Sequence, residues 1–357
     1  MNVLLRIILF PFSILYGMIT SLRNKLFDWK IFRSRELPVA SISVGNLTVG
    51  GTGKTPHIEY ITELLKSHYT VGIVSRGYRR QTKGFRLADE NSTAMTIGDE
   101  PMQYWNRYKG DSVYVAVDEN RYRGCKKLLE AKPNVDVILL DDAFQHRWIN
   151  PGLKIILSDF FNPYHKDFMM PSGRLREPRK NAKRADVIIV SKAGKVLSPI
   201  TRRTLVEEIK PTENQNLHFS YIEYGEPKPI PGLNHTPTWG KTYAILLVTG
   251  IANPYPFEAE VSNECSELHK LKYPDHHKFS VRDAEKIKKT FEEIVSVNKI
   301  IITTEKDGMR LSTPEIKKVI GHLPIYYWPI HVNLQEEDKL TFNKQILTYV
   351  QQNSRNS

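Results

Sequence analysis

Cysteine is almost missing from this sequence, with only Cys125 and Cys265 among 357 residues. Far apart in a chain long enough to build its own core, they offer no disulfide framework and fit a reducing, cytosolic compartment. There is no zinc-finger spacing, no basic region followed by heptads and no aromatic RNA-binding signature, so nucleic acid is not an expected partner. No repeat of fixed period occurs, and the only low-complexity segment is the polar tail QQNSRNS, expected to fray. The apolar N-terminal run is uncharged only from Ile7 to Ser21, short of the ~20 residues that span a bilayer, and it contains Pro11 and Gly17. No small-residue cleavage site follows, which argues against a signal peptide.

What the chain does have is positive charge, +12 with a pI near 9.4. That excess suggests an anionic partner: nucleic acid, anionic lipid or a phosphorylated substrate. Hydrophobic residues at 40% and charged residues at 25% are the composition of a folding globular chain, long enough for two domains. Within residues 1–29 only Arg6 interrupts an apolar stretch reaching Thr20, and apolar residues occupy nearly the whole helical circumference. An interfacial helix anchored by Arg6, Arg23, Lys25 and Trp29 is expected, with a core-covering helix as the alternative.

From residue 38 to about 210, β-branched runs at 39–45, 70–75, 112–117, 135–141, 153–158 and 185–190 alternate with helical patterns at 55–67, 100–108, 120–131 and 199–209. This alternation predicts a doubly wound, mainly parallel α/β domain at 31–215, behind an N-terminal membrane-contacting helix at 1–30. Residues 216–240, rich in proline and without helical period, read as a linker. Strands at 243–249, 299–304 and 325–329, with helices at 256–260, 281–296 and 336–351, predict a second, smaller α/β domain at 241–357.

The strand VASISVG runs into NLTVGGTGKTP, a Gly-rich turn between a strand and a helix. This is P-loop context. Backbone N–H groups of Thr48, Val49, Gly50, Gly51, Thr52 and Gly53 can converge on phosphate oxygens, Lys54 can reach the β and γ phosphates of ATP, and Thr55 offers a hydroxyl to Mg²⁺. Thr48 stands where the usual pattern has its first glycine. Downstream, VDVILLDD reads as a Walker B strand whose Asp141 and Asp142 lie at the carboxyl edge of the sheet, suited to holding and orienting Mg²⁺. Alone, Asp-Asp after a strand is usually a loop cap; the upstream P-loop favours the metal reading.

The segments SVGNLTVGGTGKTP, SRGYRR, GDEP, LLDDAFQHR, PSGRLREP, PDHHKFS and TTEKDGMRL recur in the order seen in the tetraacyldisaccharide 4'-kinases of lipid A biosynthesis, which this sequence resembles from about residue 40 to 310. Ala143 and Arg79 depart from the family's frequent glycines. The resemblance implies ATP-dependent phosphorylation of the 4'-hydroxyl of a lipid A disaccharide 1-phosphate to give lipid IVA. It also implies two α/β lobes and a membrane-contacting helix at the cytoplasmic face of the inner membrane, on an anionic surface. A monomer is expected.

Several other residues suit that chemistry. Gln145 and His146 follow the carboxylate pair and can hydrogen-bond substrate or metal-bound water, although His146 can equally cap the turn. Arg76 can meet a phosphate with both arms of its guanidinium, or form a surface ion pair. Glu177 lies in a basic loop with Arg174, Arg176 and Arg179 that can meet a sugar phosphate, or simply be solvated. Asp99 opens GDEP at a helix start, where it can act as general base or merely as a cap. His276 of PDHHKF, in the second lobe, can orient and tune that carboxylate, or cap a loop. The resemblance favours the catalytic reading of both.

Three rival readings are weaker. ADVIIV-SKAG echoes a guanine-reading tetrad, but Gly194 replaces its aspartate. Cys265, His269, His276 and His277 match no usual zinc spacing and include one thiolate. The third, a peripheral membrane scaffold without catalysis, predicts no turnover at all.

Overall fold

The computed structural model describes residues 3–233 and 240–354. The chain forms two compact units, Met1–Ile222 together with Val332–Ser357, and Glu223–His331. The first begins with α1 (Val3–Asp28), β1 (Ala40–Asn46), α2 (Lys54–Leu65), β2 (Val71–Ser75) and β3 (Arg86–Leu87). It continues through α3 (Ala94–Ile97), α4 (Asp99–Tyr108), β4 (Val113–Val117), α5 (Arg121–Ala131) and β5 (Val137–Asp141). Next come β6 (Leu153–Asp159), β7 (Val187–Ser191), α6 (Pro199–Ile209) and β8 (Asn216–Tyr224). The second unit carries β9 (Lys228–Pro229), β10 (Ala244–Thr249), α7 (Tyr255–Asn263), β11 (Glu267–Lys272) and α8 (Val281–Glu293). It closes with β12 (Lys299–Thr304), α9 (Glu305–Leu311), α10 (Pro314–Ile320) and β13 (Ile325–Trp328), before β14 (Ile330–Leu334) and α11 (Glu336–Asn353).

In the first unit a nine-stranded sheet runs β14-β8-β7-β6-β1-β5-β2-β4-β3. The pairings from β8 through to β4 are parallel, and β3 joins β4 antiparallel. Every residue of β1 and of β5 is buried, as strands covered by helices on both faces require. Local signals set the helix starts. Ser198 accepts from the Thr201 N–H ahead of Pro199, and Ser280 with Asp283 forms a capping box on α8. The five-stranded sheet β11-β10-β12-β13-β9 of the second unit is parallel except at β9.

Several boundaries differ from expectation. The segment read as a linker contains β8, paired in parallel with β7 and buried from His218 to Tyr221; residues 234–239 of it lie outside the described residues. The second unit ends at His331 instead of 357. Helix α11 belongs to the first unit, where Phe342, Ile346 and Val350 share a core with Ile42, Ile58 and Ile61. The tail expected to fray is helical through Asn353, and residues 355–357 lie outside the described residues. Strand β11, ELHKLK, escaped the sequence reading because an edge strand rich in charge lacks apolar alternation.

Helix α1 is continuous through Pro11 and Gly17, and is long and apolar enough to cross a membrane by length and composition. Only 6% of its apolar window is buried, so it does not serve as a core helix. One edge docks: Ser13 Oγ lies 2.5 Å from Ser172 Oγ, and Tyr16 donates to the Arg176 carbonyl at 3.1 Å. Leu4, Ile7, Ile8, Phe12, Leu15 and Leu22 stay exposed.

Candidate active site

Strands β1 and β5 are neighbours, with Val44 opposite Asp141, so the loop after β1 and the carboxylates after β5 meet at one sheet edge. Gly50 and Gly53 adopt left-handed φ values of 113° and 85°. A Cβ on Gly50 would meet nothing within 4 Å, so conformation and not space calls for glycine there. Thr48, at the departure from the usual pattern, is buried and bridges antiparallel to Leu175. Val49 N donates to the Arg174 carbonyl and Arg176 N to the Leu47 carbonyl, both at 2.8 Å. A β-branched residue suits this extended pairing, which stitches the P-loop to GRLREP.

The SKAG segment, read only as a failed guanine tetrad, braces the same loop. Ser191 Oγ donates to the Thr52 carbonyl at 2.8 Å; Lys192 donates to the Gly51 carbonyl and pairs with Asp159 at 2.7 Å.

Lys54 Nζ lies 3.3 Å from Asn46 Oδ1 and 3.7 Å from Asp142 Oδ1. Arg176 grips Asp142 with both arms, Nη2 to Oδ1 at 2.8 Å and Nη1 to Oδ2 at 3.1 Å. Burial alone would raise the Asp142 pKa, but Lys54 and Arg176 overcome it and hold the carboxyl well below the usual range. Asp141 is the opposite case. Burial first, then the charges of Glu100 and Asp142, push it up to about 6. Its Oδ2 accepts from Ser75 Oγ at 3.3 Å, while Oδ1 is buried with no donor among the described residues. Arg121, 2% exposed, donates to the Asp141 and Asp142 carbonyls at 3.4 Å. An orphaned carboxylate oxygen, a second carboxylate and the buried Thr55 hydroxyl form a hard oxygen set that fits Mg²⁺.

Asp99 is the first residue of α4, and the N-cap is Gly98 at φ 98° with no side-chain cap bond, so Asp99 is not the N-cap residue. A Cβ on Gly98 would fall 3.0 Å from Gly77, which brings GDEP against SRGY. The neighbouring Glu100 adds to the negative field that raises the Asp141 pKa.

Gln145 Nε2 donates to the Asn46 carbonyl at 2.8 Å, and Arg23 of α1 donates to the Gln145 carbonyl at 3.2 Å. His146 Nε2 lies 2.9 Å from the Glu119 carbonyl; burial first and then Arg121 lower its pKa. Arg76 is exposed at the end of β2, with no hydrogen bond or ion pair among the described residues. Glu177 departs from expectation. It is 2% exposed, paired with Arg184 and accepting from Asn181 Nδ2 at 2.9 Å, so it braces the GRLREP loop instead of facing a sugar phosphate.

His276 belongs to the second unit, at a left-handed φ of 59°. The fully buried Asp307 accepts from Gly250 N at 2.8 Å, Thr304 Oγ1 at 2.8 Å and Arg310 Nη1 at 2.9 Å. Arg310 Nη2 lies 3.0 Å from His276 Nδ1. Arg121, Glu100 and Lys192 escaped the sequence reading; only a buried arginine or a charge beside a known motif would have signalled them.

The family model for tetraacyldisaccharide-1-P 4'-kinase matches residues 5–351. The tetraacyldisaccharide 4'-kinase of Parabacteroides distasonis is 43% identical over 355 residues, covering 98% of this chain and 96% of that protein. That of Bacteroides thetaiotaomicron is 41% identical over 361 residues, covering 98% and 94%. The crystal structure of Aquifex aeolicus LpxK in complex with ATP superposes with a TM-score of 0.73 at 29% identity, covering 97% of this chain and 99% of that one. With the match running nearly end to end, the chain belongs to the tetraacyldisaccharide-1-P 4'-kinase family.

Proposed function

We propose that the chain moves the γ-phosphoryl group of ATP to the 4'-hydroxyl of a tetraacyldisaccharide 1-phosphate, the lipid A precursor, giving lipid IVA. The observation that carries the site reading is the pair of adjacent carboxylates with opposite perturbation beside the P-loop lysine. Phosphoryl transfer asks for charge neutralisation, alignment and removal of the acceptor's proton. The Val49 and Thr52 N–H groups are engaged by the Arg174 and Gly50 carbonyls, so the phosphates fall to the backbone N–H groups of Gly50, Gly51, Gly53, Lys54 and Thr55, and the Lys54 side chain follows the charge that develops between β and γ oxygens. Thr55, Asp141 and Asp142 would hold Mg²⁺, which when bound neutralises those oxygens.

Asp99 accepts the 4'-hydroxyl proton as the sugar oxygen bonds to phosphorus and the bond to the β-phosphate oxygen breaks, releasing ADP. His276 assists that carboxylate. Arg76, Gln145 and His146 are assigned to the substrate; an exposed guanidinium with no partner among the described residues suits its phosphate. The uncovered apolar surface of α1, with Arg6, Arg23 and Lys25, supports docking on the anionic cytoplasmic face of the inner membrane, where the acceptor lies. Incubation with γ-labelled ATP and a lipid A disaccharide 1-phosphate, followed by locating the label, tests the assignment. Label at the 4'-position is expected; label elsewhere, or none, overturns it.

A further inference from the structure

We infer that Arg310 fixes His276 as the Nε2–H tautomer, which makes His276 a hydrogen-bond donor in the reaction and Arg310 its positioning residue. This rests on the proposed assignment of His276. A guanidinium has five N–H donors and no acceptor, so with Arg310 Nη2 at 3.0 Å the His276 Nδ1 must present its lone pair. A proton on Nδ1 would set two donors against each other beside a fixed positive charge. The ring proton therefore resides on Nε2.

Arg310 cannot easily turn away. Its Nη1 is held at 2.9 Å by Asp307, whose other oxygen accepts from Gly250 N and Thr304 Oγ1 in a fully buried setting. One arm of the fork is anchored and the other is aimed. The His276 backbone is held as well: its N–H donates to the Gly250 carbonyl at 3.1 Å, and its left-handed φ of 59° is a conformation that costs energy outside glycine. The adjacent His277 has its Nε2 3.1 Å from the Asp283 carboxylate. His276 is set with Nδ1 against the Arg310 cation and Nε2 3.9 Å from the Asp275 carboxylate, and both neighbours place the ring proton on Nε2. Its Nε2–H can stabilise an oxygen anion, a carboxylate or a phosphoryl oxygen, and proton acceptance is left to Asp99.

The test is ¹⁵N NMR of the full chain, histidine-labelled and in detergent, with the His276 resonances assigned by their loss in His276→Gln. The expected wild-type spectrum has an unprotonated Nδ1 and a protonated Nε2 at a pH where the enzyme turns over; a protonated Nδ1 overturns the inference without any Arg310 variant. Removing Arg310 alone would strand the buried Asp307 charge, so the variant is Arg310→Leu combined with Asp307→Asn. It is expected to mix the tautomers and lower kcat about 10-fold with KM for ATP nearly unchanged. An unmixed tautomer in the folded variant removes Arg310 as its cause. If the wild-type tautomer is as inferred while His276→Ala keeps full kcat, the catalytic assignment of His276 falls and the Arg310 geometry stands.

Discussion

Lys54, Asp99 and Asp141 carry the predictions that belong to single side chains. Lys54 faces Asn46 and Asp142 at the sheet edge and not the core, so Lys54→Ala should leave the fold intact while kcat falls on the order of 10²-fold or more. Circular dichroism and steady-state kinetics check both halves, and unchanged kcat would remove the P-loop role. Because the α4 cap is Gly98, Asp99→Asn spares it. A base predicts a kcat loss of roughly 10²-fold with ATP affinity kept, and an effect that shrinks strongly when His276→Ala is already present. Near-normal turnover would take Asp99 out of the mechanism. Asp141 links the site to stability. Its carboxyl is raised from an ordinary 3.8 to about 6, so the folded chain keeps a proton that the unfolded chain releases, and Asp141 makes the metal-free protein less stable as pH rises from about 4 to about 6. Asp141→Asn, with no such loss, should gain stability over wild type across that window, levelling off on the order of 1–3 kcal/mol above it, while activity disappears. Asp142 has the opposite sign and acts at lower pH. His57, lowered to about 4 by burial, also favours the fold as pH rises, but it is present in both proteins and cancels in the difference. Denaturant titrations in magnesium-free buffer would expose a flat difference if the raised Asp141 were absent.

Helix α1 is the element whose two sides do different work. Its docked edge ties to Ser172 and Arg176, and Arg23 reaches the loop that carries Gln145, so the helix is joined to the site, while its open side is the one proposed to meet lipid. Its open side includes Ile8, Leu15 and Leu22, each more than half exposed. Changing those three to Gln should cut partitioning onto anionic vesicles by at least about 10-fold and leave the unfolding transition in detergent unchanged, since each loses only membrane contact. Full retention in a sedimentation assay would show that the basic surface of the folded units suffices. Such a variant should also lose more activity on acceptor held in bilayers than on acceptor in detergent.

At the scale of the whole molecule, the nucleotide-binding unit is assembled from two stretches of chain separated by the entire second unit. Helix α11 closes it. Phe342, Ile346 and Val350 are buried against the same core as α2, Tyr60 donates to Asn343 Oδ1 at 2.9 Å, and Tyr349 donates to the Ser41 carbonyl of β1 at 3.1 Å. Phe342→Ala is expected to cost about 3–5 kcal/mol, as a buried aromatic deletion does, although it lies nearly three hundred residues from Lys54 in sequence. Chemical denaturation measures it, and a loss under about 1 kcal/mol would make α11 peripheral to the core. Under native conditions the folded fraction should retain its KM for ATP.

The sequence by itself determined the elements whose chemistry is contiguous: a strand, a Gly-rich turn, Lys54 and Thr55; a buried strand ending in Asp141 and Asp142; and the alternation that makes a parallel sheet. These were legible because strand burial, glycine conformations and helix starts are properties of a dozen neighbouring residues. Tertiary structure decided the rest. Strand β8 reads as linker because the prolines after it mask a strand whose partner, β7, is a crossover away. Helix α11 gives no sign in its residues that it joins the first unit, since an amphipathic helix does not specify which core it covers. Glu177 looks like a substrate contact beside three arginines until Arg184 encloses it. Arg121, Arg176 and Lys192 are three more cations in a basic chain, and only packing brings them to the two carboxylates and the phosphate loop. Opposite perturbation of two adjacent aspartates is likewise a matter of which cations stand near and how much water is excluded, and those are properties of the fold, not of the sequence Asp-Asp.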